Sequence, residues 1–190
     1  MRNLLVSLML CLVSCSSCTK SEDTTNVKTE PVSVGSAEFT MPDAGPPVST
    51  DQLVISDNVS ILIPKDWVRT DSVTAVPELQ WMYLNKGKKN VIMLIKEQSK
   101  NTLDVYTLES LRQVSEANAV LDSHTTVAVN GKAYSLLVSH TSADTIWLWL
   151  SVDGDYSYAL SCGGKTDFNN DGPDSQEAMC NKMVQTLKFN

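Results

Sequence analysis

Basic side chains are scarce in this 190-residue chain, where 15 Lys and Arg stand against 22 Asp and Glu for a formal net charge of −7. A chain so charged has no generic attraction for a phosphate backbone or for anionic headgroups, so no nucleic-acid partner is expected. Histidine is rarer still, with two residues, His124 and His140, which leaves few imidazoles for proton transfer or metal ligation. Aromatic residues make up 6% of the chain, although four of them are tryptophans. After Val13 no stretch approaches the ~20 apolar residues that a membrane-spanning helix needs.

The apolar run that does exist, Leu4 to Val13 behind Arg2, is too short to span a bilayer and has the shape of an export signal. Leu12-Val13-Ser14-Cys15 resembles the bacterial lipobox, with Leu at −3, a small residue at −1 and then the obligatory cysteine. The resemblance implies cleavage between Ser14 and Cys15 and diacylglycerol on the Cys15 sulfur, where a nucleophilic thiolate is required to form the thioether. Two or three acyl chains would hold the protein at a bilayer where one alone is marginal. Ser16 stands where Asp favours inner-membrane retention in enteric bacteria, so the periplasmic side of an outer membrane is the expected address. Losing residues 1–14 removes Arg2 and leaves a mature charge of −8, from 14 basic and 22 acidic residues.

Five cysteines sort by position. Cys11 leaves with the signal, Cys15 carries lipid, and Cys18 follows it closely. Cys162 and Cys180 remain within the folded part, either as a disulfide, which an oxidising envelope favours, or as two buried thiols.

Residues 15–50 are rich in Ser and Thr, with Pro31, Pro42, Pro46 and Pro47 and one aromatic, Phe39. Such a stretch buries too little apolar surface to offset its ordering entropy and reads as a flexible tether with a reach of roughly 30 Å. Residues 51–190 form one domain large enough for a real core. Val59, Ile61 and Ile63 alternate as in a strand, as do Leu79, Trp81 and Tyr83, and Val91 to Ile95 is apolar throughout, as in a strand covered on both faces. Thr102 caps a helix from Leu103, with Leu103, Tyr106, Leu111, Val114 and Ala117 on one side. Asn130-Gly131 and Asp153-Gly154 are hairpin signals. A second helix is expected from Ser175 to Lys188, capped by Asp174 with Glu177 as its box partner and Met179, Cys180, Met183, Val184 and Leu187 buried. Strands, helix, four strands, helix is the order of an α+β fold, a twisted antiparallel sheet with helices packed against it.

Several local motifs support a closer resemblance. Val59-Ser60-Ile61-Leu62-Ile63-Pro64-Lys65-Asp66-Trp67 is similar to the opening strand of PsbP-like and DcrB-like domains, which runs into Pro and then Trp. Leu103-Asp104-Val105-Tyr106 resembles their helix start, Val129-Asn130-Gly131-Lys132-Ala133 their central hairpin, and Leu187-Lys188-Phe189 their closing segment. The resemblance implies a twisted antiparallel sheet between helices, on domains that serve as assembly factors, chaperones or binding adaptors. It brings no catalytic residues with it.

Pairing about Asn130-Gly131 sets His124 against Leu137 and Leu121 against His140, which sends the two histidines to opposite faces and excludes a shared metal. Ser161-Cys162-Gly163-Gly164 has no neighbouring histidine to make a nucleophile. Asp167, Asn169 and Asp171 with Gly172 match the first half of a calcium loop, but the twelfth position is Ala178, so at most a weak structural Ca²⁺ is expected and no other cofactor. Asp153-Gly154 as turn residues place Trp149 opposite Tyr158 and Trp147 opposite Leu160. Trp147, Trp149 and Tyr158 are then an aromatic core under the last helix or, as binding residues, an exposed stacking platform. Asp66 and Asp71 are a conceivable carboxylate pair of undefined spacing.

These readings point to a membrane-anchored envelope lipoprotein that is no enzyme and acts as a binding or accessory module for an envelope protein. An immunity or exclusion inhibitor is the alternative, and a cell-wall hydrolase is a more distant one.

Overall fold

A computed structural model describes residues 38–40, 51–56, 58–70, 77–85, 87, 90–165 and 175–189. The signal, Cys15, the calcium-loop residues Asp167, Asn169 and Asp171, and Asp71 lie outside them. The described elements are β1 (Glu38–Thr40), β2 (Asp51–Ser56), β3 (Val59–Pro64), β4 (Val68–Arg69), β5 (Leu79–Asn85), β6 (Asn90–Gln98), α1 (Leu103–Glu116), β7 (Val120–Val129), β8 (Lys132–His140), β9 (Asp144–Asp153), β10 (Tyr156–Lys165), α2 (Gln176–Gln185) and β11 (Lys188–Phe189).

Two sheets result. The larger runs β1-β7-β8-β9-β10-β6-β5-β4 and the smaller β11-β3-β2. Every described pairing is antiparallel except β1 on β7. The uniformly apolar run in β6 falls between β5 and β10, with Ile92 and Leu94 in one core and Val91, Met93 and Ile95 in the other. A strand walled on both faces needs apolar side chains at both parities. On one side α1 packs over β7, β8 and β9, and on the other α2 lies against β10 and β3. The α+β architecture expected from the element order is the one observed.

Four local expectations are corrected. Part of the stretch read as tether is a strand, since Glu38–Thr40 pairs in parallel with Thr126–Ala128. The open backbone groups along the outer edge of β7 supply hydrogen bonds that composition cannot reveal. In the β9–β10 hairpin Tyr156 faces Asp153, so the turn residues are Gly154 and Asp155 rather than Asp153 and Gly154. Gly154 has φ 57° while Asp155 has none of the positive-φ character of a type I′ turn, and glycine first is the type II′ pattern. Asp153 stays in the strand, where its carboxylate meets Lys132 Nζ at 3.2 Å. The register therefore moves by two residues. Trp149 faces Leu160 and Trp147 faces Cys162, but a shift of two leaves every side chain on its expected face.

In β7 a bulge intervenes. Leu121 faces Ser139 and Ser123 faces Val138, so His140 stands opposite Val120 rather than Leu121. Asp122 is the extra residue, and both its carboxylate oxygens lie 2.8 Å from His140 Nδ1. Finally, α2 is capped by Ser175, whose hydroxyl accepts from the Ala178 N–H at 3.0 Å, rather than by Asp174. It stops at Gln185, because Lys188 and Phe189 pair with Ser60 and Val59 of β3. The Asn130-Gly131 turn does have positive φ at both residues, 51° and 77°, as a type I′ turn requires. Thr102 caps α1 as expected.

Candidate functional site

Alternation along β8, β9 and β10 sends Leu136, Val138, Trp147, Trp149, Tyr158, Leu160 and Cys162 to one side of the large sheet. There they join Trp67, Trp81, Tyr83 and Tyr134 and the inward residues of the small sheet, Val54, Val59, Ile61 and Ile63. Cys162 and Cys180 form a disulfide with Cα atoms 5.8 Å apart, and both are fully buried. Because Cys162 sits beside Trp147, the bond lays α2 across the aromatic cluster. It also removes Cys162 as a thiolate nucleophile.

The same burial decides the role of the aromatic residues. Trp149 is 0% exposed, Trp147 4% and Tyr158 2%. A stacking platform needs a ring face open to a ligand, so Trp147, Trp149 and Tyr158 are core residues and not the binding surface considered for them. The Tyr158 hydroxyl donates to Asn58 Oδ1 at 3.1 Å, and its ring meets Phe189 edge-on at 4.9 Å. Lys132 Nζ lies 3.4 Å from the Phe189 ring centre, closing that end of the cluster with a cation–π contact. Burial pushes the Tyr134 phenol far above its ordinary range, with Asp153 adding to the effect.

The other side of the large sheet is lined by Met82, Val91, Met93, Ile95, Leu137, Leu148, Leu150 and Ala159, with Tyr106 of α1. Its polar content is unusual for a core. Ser135, Ser139, Ser157 and Ser161 alternate with the aromatic-side residues, and all are buried, as are Thr107 and Ser110 of α1. The Ser110 hydroxyl donates to the Tyr106 carbonyl at 2.9 Å, which lets a polar residue lie in the buried stripe. Burial, then Glu97 and Glu109, raises the Tyr106 phenol well above its usual range.

The histidines lie on opposite faces, as the pairing predicted. His124 Nε2 is 2.9 Å from Ser135 Oγ on the helix side, and burial lowers its pKa. His140 pairs with Asp122 at a half-exposed edge. Among the described residues no group of three or more His, Cys, Asp or Glu side chains could hold a metal ion. Asp66 accepts from Asn85 Nδ2 at 3.0 Å and so ties the β3–β4 turn to the β5–β6 hairpin.

Exposed apolar side chains are where the surface departs from a plain solvated shell. Leu53 and Ile55 on the outer face of β2 are 61% and 63% exposed, and Val105, Leu108, Val120 and Leu121 lie open on α1 and the start of β7. Sequence reasoning did not single these out, although two signals were present. Leu53 and Ile55 share the parity opposite Val54, so one strand face had to carry two aliphatics outward. Leu108 lies off the helical stripe that contains Tyr106, Ser110 and Val114.

The fold class these features define is α+β and PsbP-like. Twenty-one solved chains resemble this one. Among them is the solution structure of cyanobacterial PsbP (CyanoP) from Synechocystis sp. PCC 6803, with a TM-score of 0.58 and 12% identity over 77% of this chain and 96% of that one. A crystal structure from Bacteroides thetaiotaomicron VPI-5482 aligns with a TM-score of 0.47 and 14% identity, over 74% of this chain and 49% of that one. No family profile matches the sequence, and no curated protein matches it.

Proposed function

We propose that this chain is a lipid-anchored protein of a bacterial envelope, cut before Cys15 and acylated there, whose domain is a non-enzymatic binding or accessory module for an envelope protein. The observation that supports the accessory-module part of this reading is the fold shared with cyanobacterial PsbP over 96% of that chain, while the anchoring part rests on the lipobox resemblance at Leu12-Val13-Ser14-Cys15. The sequence motifs also resemble PsbP-like and DcrB-like domains, and that resemblance implies action through partners and brings no catalytic residues with it. Exposed aliphatics outside the core, Leu53, Ile55 and Leu108, supply contact surface of the kind that partner recognition uses.

No helix among the described residues is long and apolar enough to cross a membrane, so on this reading the acyl chains provide the attachment. The lipobox and Ser16 support an outer-membrane address. A weak Ca²⁺ at Asp167, Asn169 and Asp171 belongs to the same proposal, and calorimetry at millimolar Ca²⁺ with no heat would remove it.

The test is made in the native host. Intact-mass analysis is expected to find acyl mass on Cys15, and Cys15→Ser to release the protein from membranes. In-cell crosslinking is expected to recover one envelope protein repeatedly. An unacylated Cys15 ends the anchoring part, and crosslinking that recovers no specific protein ends the binding part.

A further inference from the structure

The Asn130-Gly131 turn makes the β7–β8 hairpin, and it also does something that a hairpin does not require. The Asn130 side chain reaches across to the corner between α2 and β11, where Nδ2 donates to the Gln185 carbonyl at 3.0 Å and to the Leu187 carbonyl at 2.7 Å. That corner leads into β11, whose Phe189 lies under Lys132 and against Tyr158. The Asn130 amide is thus a clasp that spends both its N–H groups on holding the closing segment.

An asparagine followed by glycine is also a reactive pair. Gly131 has no Cβ to shield its backbone nitrogen, and the position a Cβ would occupy has nothing within 4 Å. Asn130 itself is solvent-exposed. We propose that Asn130 is a covalent modification site: its deamidation is gated by the clasp, and the product holds the α2–β11 corner open. In the reaction the Gly131 nitrogen attacks Asn130 Cγ. A new N–Cγ bond forms, the Cγ–Nδ2 bond breaks, and the Gly131 amide proton leaves with the nitrogen as ammonia. Water then opens the five-membered imide at either carbonyl to give aspartate or isoaspartate.

While the clasp is closed, two hydrogen bonds pin the amide toward Gln185 and Leu187, and the type I′ turn fixes Gly131. Attack needs the amide to rotate away, so the corner must first open. Once formed, the carboxylate has no proton to donate and faces two carbonyl oxygens, so the clasp cannot be remade. Release of β11 would uncover the edge of β3 at Val59 and Ser60.

Full-length protein aged at mildly alkaline pH and mapped by peptide mass spectrometry tests the gate. Conversion at Asn130 is expected to be several-fold slower in the folded protein than in urea-unfolded protein. Thr186→Val should speed it, since Thr186 Oγ1 accepts from the Leu62 N–H at 2.8 Å and helps hold the corner. Urea well below the unfolding midpoint should do the same should that variant not fold. Asn130→Asp is expected to melt below Asn130→Gly, which loses the clasp without adding charge and suits φ 51°. Equal rates in folded and unfolded protein overturn the gate, and an Asn130→Asp variant as stable as Asn130→Gly overturns the effect of the product.

Discussion

On one side of the large sheet the core holds all four tryptophans, Trp67, Trp81, Trp147 and Trp149, while the other side holds none and, Tyr106 apart, is lined by non-aromatic apolar side chains with buried serines. The closures differ as well. The aromatic side is sealed by a second sheet, a helix and a disulfide, whereas α1 packs over the other side at β7, β8 and β9. Large aromatic rings bury much area per residue and lose little entropy on ordering, so the first side is suited to holding the fold together. Serine contributes little apolar area, and Ser135, Ser139 and Ser161 let the second side close at lower stability. Regions that open first are drawn from the less stable end of a fold. The helix side, with Val105 and Leu108 exposed on α1, is therefore the side that we expect to open first.

The sharpest way to break this comparison is to cut one residue from each side. Trp149→Ala removes a side chain with no solvent exposure and should cost about 4 kcal/mol. Val114→Ala, in the buried stripe of α1, should cost about 2 kcal/mol. Urea midpoints measure both, and tryptophan quenching by iodide should be low in the parent protein. Equal losses from the two variants, or ready quenching of the parent, would remove the distinction between the sides.

Next in size is the disulfide. Cys162 and Cys180 are 18 residues apart in sequence, and closing a loop of that length is worth about 3 kcal/mol on a chain-entropy basis. The double variant Cys162→Ala/Cys180→Ala should lower the urea midpoint accordingly and weaken near-ultraviolet dichroism from Trp147, which sits beside Cys162. Native-state hydrogen exchange should then rise in α2 and spare α1. A rise in α1 of the same size would mean that the two closures are one cooperative unit.

How far the sequence carried these conclusions depends on the range of the forces involved. Val91 to Ile95 was readable as a doubly covered strand because burial on two faces leaves no polar parity. The Asn130-Gly131 turn was readable because both residues tolerate φ > 0. The Gly154 turn was misplaced by one residue, since Asp153 is kept in the strand by Lys132, a partner on another hairpin. Asp122 bulges, and its pairing with His140 follows from that irregularity. Strand β1 was invisible, because three residues gain order only when the β7 edge is already there. The site itself was the least legible part. Whether a tryptophan is buried depends on what covers it, and the small sheet that shares a core with Trp149 is assembled from segments more than a hundred residues apart, β3 and β11.

The smallest expected effect bears on the weaker side and reads it by pH. His124 projects to the helix side, 2.9 Å from Ser135 Oγ, and burial lowers its pKa from the ordinary 6.5. Between its folded pKa and 6.5 the unfolded chain binds a proton that the folded chain refuses, so stability falls as pH drops through that window. Above it the contribution is constant. His124→Gln keeps a hydrogen-bonding group near Ser135 but cannot titrate, so its urea midpoint should lack this limb while the parent keeps it. Hydrogen exchange in α1 of the parent should rise on acidification through the same window and that in α2 should not, because His124 projects to the face of the sheet on which α1 packs. A parent profile flat across the window, or a slope that survives in His124→Gln, would show that the acid-sensitive element lies elsewhere and would leave the helix side without a proton-linked weakness.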